Sequence, residues 1–199
     1  MPPGTHYFDD EPHVTSSERS VRLDLPDLSL TMTTDRGVFS AAGIDPGTKI
    51  LLRDGPPPRA DGTVVDVGCG YGPIALTLAT RAPTARVLAV DVNRRARNLC
   101  RTNAETLGLD VAILAPDEVP GDLVVDEIWS NPPIRIGKSE LHALLLGWLG
   151  RLSPGGRALL VAQKHLGADS LAAWLGTEGW QVTRLAARQA YRILEVRHA

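Results

Sequence analysis

Two cysteines in 199 residues are too few for a disulfide framework or a paired-cysteine zinc site. Cys69 falls in a glycine-rich turn and Cys100 in a helix-like stretch, and both are expected to be reduced thiols. No apolar run reaches the roughly 18 residues that a membrane span needs, so no crossing is expected. Residues 1–6 lack the basic start and continuous apolar stretch of a secretory signal, and a cytoplasmic location is expected on that ground. Excess charge of one sign is missing too. Lys and Arg number 21 against 23 Asp and Glu, leaving a formal charge of -2. With no polybasic tail, any contact with nucleic acid has to be local. The best local group is Arg94, Arg97 and Arg101, near one face of a helix, with Arg95 and Arg81 nearby. A solvated helix face is the plainer account of them.

What is present describes an ordinary globular chain, 43% hydrophobic, long enough for one sizeable core. One domain over 1–199 is expected, made of an arm (1–20), an extension (21–61) and a core (62–199). The arm is rich in Pro, Asp, Ser and Glu without periodicity. Residues 21–25 and 28–32 alternate apolar and polar about Pro26-Asp27, as a hairpin would. Gly37-Val38-Phe39-Ser40 and the run Ile50-Leu51-Leu52 follow, and Pro56-Pro57-Pro58 should be an extended connector.

From Gly62 the chain alternates strand-like segments (64–67, 87–90, 111–114, 127–130, 158–162) with helix-like ones (73–81, 93–107, 141–149, 171–175). Pro73 opens one helix, Gly108 stops another, and Gly155-Gly156 is expected to mark a turn. Residues 180–185 and 192–196 are too close for a helical crossover and should pair antiparallel. The fold class is therefore α/β, Rossmann-like: a mostly parallel seven-stranded sheet with an antiparallel C-terminal hairpin, preceded by an N-terminal hairpin. Ligands are expected at the carboxyl ends of its strands.

Two motifs fall at that edge. In Asp66-Val67-Gly68-Cys69-Gly70-Tyr71-Gly72, three glycines between strand and helix permit close backbone approach to a ligand. The spacing is GxGxG, and this short turn with Asp66 before it favours a ligand without phosphate, whose cationic amine Asp66 could accept. Asp91, ending the second strand, could receive both ribose hydroxyls or simply cap the next helix. Asp117 could accept from an adenine amine or serve the turn beside Pro116. The second motif, Asn131-Pro132-Pro133-Ile134, offers rigid acceptors for a planar amine.

With these residues the chain resembles the class I S-adenosylmethionine-dependent methyltransferases, and more narrowly the catalytic domain of bacterial small-subunit rRNA guanine-amine methyltransferases. The resemblance also takes in Asp35-Arg36-Gly37-Val38-Phe39-Ser40, Asp45-Pro46-Gly47, Val90-Asp91-Val92-Asn93, Arg95-Ala96 and Asn103-Ala104. It implies S-adenosyl-L-methionine as cofactor, held by Asp66, Gly68, Cys69, Gly70, Gly72, Asp91, Val92, Asp117 and Asn131, and no metal. It implies catalysis at Asn131, Pro132, Pro133 and Ile134, with the Asn131 oxygen and the Pro132 carbonyl accepting from the target amine. Its implied partner is rRNA or a small ribosomal subunit particle.

Ile134 departs from the pattern, since many relatives carry a stacking aromatic there. Phe39 and Trp129 are candidates to replace it, with core packing the other role for Trp129. Arg135 and Lys138 could meet a phosphate or carboxylate, or belong to a solvated loop. Gln163, Lys164 and His165 also fall on the ligand side, where His165 could relay a proton or cap the next helix. Adenine, a protein glutamine or a small molecule would suit the same acceptors, and a noncatalytic cofactor-binding module is the alternative of a different class.

Overall fold

The computed structural model describes residues 14–199, so most of the arm lies outside the described residues. The expected first hairpin is β1 (Arg19–Asp24) with β2 (Ser29–Thr34), paired antiparallel. A helix not expected from the sequence comes next, α1 (Pro46–Asp54). Asp45 caps it by accepting from Thr48 N–H at 2.9 Å, and Pro46 sits at its first turn, where a missing donor is harmless. Ile50, Leu51 and Leu52, which have no clear period by themselves, are buried by this helix. Residues 56–58 carry no helix or strand, and Arg157 ties them to the sheet by donating to Pro57 O (2.8 Å) and pairing with the fully buried Glu127.

Then come β3 (Thr63–Val67), α2 (Pro73–Arg81), β4 (Arg86–Val90), α3 (Arg94–Leu107), β5 (Val111–Leu114), β6 (Val125–Ser130), α4 (Lys138–Leu149), β7 (Leu152–Gln163), α5 (Ala168–Thr177), β8 (Trp180–Arg188) and β9 (Tyr191–His198). The seven strands β3–β9 form one sheet in the order β5-β4-β3-β6-β7-β9-β8, parallel except for the antiparallel β7–β9 and β8–β9 pairs. No helix among the described residues is long and apolar enough to cross a membrane.

Gly155-Gly156 is not a turn between two elements. It lies inside β7, in an irregularity where Val125 pairs with Leu152 but Glu127 already pairs with Arg157, and Gly155 takes a φ of +81° to accommodate the extra residues. The helices α4 and α5 start a turn earlier than their apolar residues suggest, because positive-φ glycines, Gly137 and Gly167, launch them through polar first turns.

Strand alternation divides the core in two. Val65, Val67, Leu88, Ile128 and Leu160 pack with α4 and α5, while Val64, Val87, Ala89, Trp129 and Leu159 pack with α1, α2 and α3. The second cluster also contains Leu23, Leu30, Met32, Val38 and Leu51, so the apolar core reaches back before its expected start near Gly62.

Buried Asn103 joins these parts. Its side chain accepts from Thr33 N–H (2.7 Å) and donates to Thr33 O (2.8 Å) and Tyr71 O (2.9 Å), linking β2, α3 and the glycine turn. Asn103→Leu would leave those backbone groups without partners in a closed interior and should lower stability by roughly 3 kcal/mol. Urea unfolding should show a lower midpoint at unchanged slope; an unmoved midpoint would mean that water replaces the amide.

Candidate active site

Three strands end together at the carboxyl edge. Gly68 and Cys69 both donate to Val90 O (2.8 and 3.0 Å), and Ser130 Oγ donates to Val67 O (2.7 Å), so the ends of β3, β4 and β6 are tied. The turn that leaves β3 has Gly68, Gly70 and Gly72 at φ of +80°, +57° and +102°. At Gly70 an added Cβ would meet open space. At Gly72 it would lie 2.8 Å from Cys100 Sγ and 2.9 Å from Leu76 Cδ1. The first glycine thus keeps a surface open, and the last lets α2 pack close against α3.

Asp91 holds this turn from the neighbouring loop. One carboxylate oxygen accepts from Gly70 N–H and the other from Asn93 N–H, each at 2.8 Å. Burial pushes its carboxyl up, and those two N–H groups work against the rise. Asn93 caps α3 by accepting from the N–H groups of Arg95 and Ala96. Arg97 folds back onto the same loop, donating to Asp91 O (2.8 Å) and Val92 O (2.7 Å), and Arg95 donates to Arg36 O (2.7 Å). Two members of the arginine group singled out as a nucleic-acid face therefore serve the loop structure.

Asp66 lies behind the turn, fully buried. Its Oδ2 accepts from Ala75 N–H (3.0 Å), and its Oδ1 has no hydrogen-bond partner among the described residues. Burial raises its carboxyl to about 8, with the Asp91 charge adding to the rise and the Ala75 N–H opposing it.

Asn131 follows β6 directly. Its amide nitrogen donates to Asp45 Oδ2 (2.8 Å) and Thr48 Oγ1 (3.0 Å), the residues at the start of α1. This network sets the orientation of the amide and leaves its oxygen with no partner among the described residues. A single cleft is lined by Asn131, Asp45 and Thr48, by Gly68 to Tyr71 with Pro73 and Ile74, and by Phe39 and Ser40. Phe39 is 64% exposed, a large apolar side chain left open at this cleft.

Several expected site residues lie elsewhere. The half-buried Ile134 packs against the α4–α5 cluster, and the Pro132 carbonyl already accepts from Ile134 N–H at 2.8 Å. Pro133 O accepts from Ile136 N–H (3.1 Å) in the short turn Ile134–Ile136. Trp129 is fully buried in the core. Lys138 is exposed at the start of α4, and Asp117 is exposed in the turn Pro116–Glu118; neither lines the cleft. The side chain of Arg135 lies outside the described residues. His165 is exposed in the turn Lys164–Leu166, and Gln163 Nε2 donates to Tyr191 OH (2.7 Å). Asp45, quoted only as part of the resemblance, and Thr48 were not expected at the site. An Asp-Pro pair ahead of an apolar run is a helix-start signal, and it marks them in the sequence.

The chemistry of the lining narrows the ligand. No Lys, Arg or His lines the cleft among the described residues, whereas Asp45 does, and Asp91 holds the glycine turn from behind. A pyrophosphate would find no cation there, and a positively charged nucleoside would be favoured. The open backbone at Gly70 and the partnerless Asp66 Oδ1 fit such a group.

Residues 29–195 match the family described as methyltransferase small domain. "Uncharacterized protein YbxB" of Bacillus subtilis is 34% identical over 196 residues, covering 96% of this chain and 98% of that one. "Ribosomal RNA small subunit methyltransferase C" of Shewanella amazonensis is 30% identical over 178 residues, covering 86% of this chain and 50% of that one. Among solved structures, the T. thermophilus "16S rRNA N2 G1207 methyltransferase (RsmC)", in complex with AdoMet and guanosine, superposes with a TM-score of 0.74 at 25% identity, covering 94% of this chain and 52% of that one. This chain spans about half the length of those two rRNA methyltransferases.

Two outcomes follow from the local geometry. Gly72→Ala, strained and clashing, should destabilise the fold by at least about 2 kcal/mol, and Gly70→Ala by only about 1 kcal/mol; equal losses in urea unfolding would contradict the close α2–α3 contact. Because the folded state keeps Asp66 protonated where the unfolded chain has released its proton, stability should fall as pH rises from the ordinary carboxyl range towards about 8. Asp66→Asn keeps an acceptor for Ala75 and has no proton to lose. Its urea midpoint should gain on the wild type between pH 5 and pH 8, and a constant difference would mean that Asp66 ionises normally.

Proposed function

We propose that this chain, which belongs to the methyltransferase small domain family, transfers a methyl group from S-adenosylmethionine to the exocyclic amine of a guanine in small-subunit rRNA. The observation that carries this reading is the single cleft shared by the glycine turn and Asn131, with Phe39 exposed at it. The names of the rRNA methyltransferases it resembles supply the substrate class.

Gly68, Cys69 and Gly70 line the cleft and would hold the cofactor through their backbone, with Asp91 for the ribose and Asp66, buried behind the turn, reached through water. The bound cofactor supplies an electrophilic methyl on a sulfonium. The protein's part is to bind, orient and desolvate. A guanine amine is a poor nucleophile because its lone pair is delocalised into the ring. An acceptor held at one N–H turns the nitrogen lone pair towards the methyl and stabilises the positive charge that grows on it during transfer. The Asn131 oxygen is that acceptor, and the second lone pair of the Pro132 carbonyl can assist. No covalent intermediate with the enzyme is required.

Phe39 takes the stacking role that an aromatic at position 134 would have, since Ile134 is committed to the α4–α5 core. A base reaching the cleft must be single-stranded or flipped out of its stack. The exposed Lys138, at the start of α4, could meet the RNA backbone.

Methyl-labelled S-adenosylmethionine, incubated with undermethylated small subunits, naked rRNA and protein extract, should leave label on a guanine amine. Label on adenine or glutamine would move the substrate, and label on none of them would reject the macromolecular reading. Asn131→Ala should bind S-adenosylhomocysteine like the wild type by calorimetry yet lose at least about 100-fold in kcat. Phe39→Ala should lower kcat/KM for RNA by roughly 5- to 150-fold, with Phe39→Trp retaining most activity; an unchanged Phe39→Ala enzyme would remove the stacking role.

A further inference from the structure

We propose that Asp45 and Thr48 form a clamp that sets the rotamer and amide orientation of Asn131, so that the first turn of α1 is a working part of the catalytic site. The inference rests on the methyl-transfer reading for its catalytic consequence, but the clamp itself is independent of the substrate.

A carboxamide offers an acceptor at one end and two donors at the other, and the two ends have nearly the same shape. Held loosely, Asn131 would present its NH2 to the target amine about as readily as its oxygen, and two donors facing each other repel. The clamp removes that ambiguity. Asp45 and Thr48 both present oxygen, at 2.8 and 3.0 Å, to the same Nδ2. With both hydrogens of Nδ2 engaged, the oxygen is the only polar function of the side chain left open, on a residue that lines the cleft.

The clamp is itself held in place. The Asp45 oxygen that accepts from Asn131 also accepts from Thr48 N–H at 2.9 Å, so capping α1 and orienting Asn131 are one geometry. Thr48 is buried. Gly47, between the two, lies so close to Tyr191 that a Cβ would stand 2.7 Å from its ring. Tyr191 is in turn bonded to Gln163 at the end of β7, so the first turn of α1 is braced on the sheet beside Asn131. Asp45 and Thr48 are positioning residues in this scheme. They act on the substrate only through Asn131.

Two substitutions separate this role from a purely structural one. Asp45→Ser keeps a helix-capping oxygen but is too short to serve Asn131 as well, and Thr48→Val removes the hydroxyl at nearly constant volume. Each should lower kcat by roughly 10- to 100-fold, the scale of a misplaced catalytic group; with Thr48→Val, which leaves the charge of the cleft wall unchanged, S-adenosylhomocysteine affinity and KM should stay within about twofold of the wild type. Asp45→Asn and Thr48→Ser, which retain the acceptor oxygens, should stay within a few-fold. In an Asn131→Ala background, neither Asp45→Ser nor Thr48→Val should slow the residual rate further. The side-chain NH2 of Asn131, followed by 15N-labelled NMR, should be protected from exchange in the wild type and exposed in both clamp variants. A lower melting temperature with unchanged kcat, equal slowing in the Asn131→Ala background, or unaltered protection would overturn the clamp. If the wild type methylates no substrate tested, the functional reading fails, and NH2 protection still decides on the clamp by itself.

Discussion

Asp91 is the knot on which the carboxyl edge of the sheet depends. A carboxylate with so little exposure is costly to bury, and it is tolerated because two backbone N–H groups, from Gly70 and Asn93, point into it. Those two groups belong to different loops. One carboxylate therefore sets the glycine turn against the start of α3, while Arg97 ties the carbonyls of Asp91 and Val92 from outside. The left-handed glycines could adopt many other shapes in isolation. Asp91 selects the one that leaves Gly70 open to the cleft.

A second constraint comes from the N-terminal part of the chain. The first hairpin and α1 bury Leu23, Met32 and Leu51 in the same cluster as β3 and β4, and Asn103 bonds Thr33 in the manner of a neighbouring strand. That attachment brings Phe39, Asp45 and Thr48 to the cleft. The reacting side of the site thus belongs as much to the extension as to the parallel sheet. Its polar atoms are satisfied by partners that a sheet-and-helix core alone would not provide.

The electrostatics agree with the division of labour. The chain carries a formal charge of -2, and the cleft is lined by Asp45 and by no cation among the described residues. Such a wall suits a cationic cofactor and a neutral base better than a phosphate. Under the proposed function, affinity for an RNA backbone would have to come from side chains outside the cleft. The rRNA methyltransferases it resembles are about twice as long as this chain.

Much of the fold could be read from local pattern. Glycines 68, 70 and 72 mark the strand-to-helix turn, Pro73 and Gly108 bracket α2 and α3, alternation marks the first hairpin, and the short connection marks the last. These signals act over a few residues, where φ restrictions and capping have immediate energetic consequences. The short α1 went unread because its apolar residues are consecutive and its length is only nine residues.

The site was legible only as a set of residue types. That Asn131 and the glycine turn meet at one edge follows from strand direction and could be inferred. Which end of the Asn131 amide faces the cleft could not, because it is decided by Asp45 and Thr48, 86 and 83 residues away in the chain. The same holds for Ile134, turned to the α4–α5 core, and for Phe39, left exposed. The sequence by itself determined the elements and their order, α1 excepted, and placed the glycine turn and Asn131 at the cleft, since helices, turns and strands are specified by neighbours. Only the tertiary structure decided the rotamers and hydrogen-bond directions on which the chemistry turns, since those are set by which distant donors and acceptors packing brings within 3 Å.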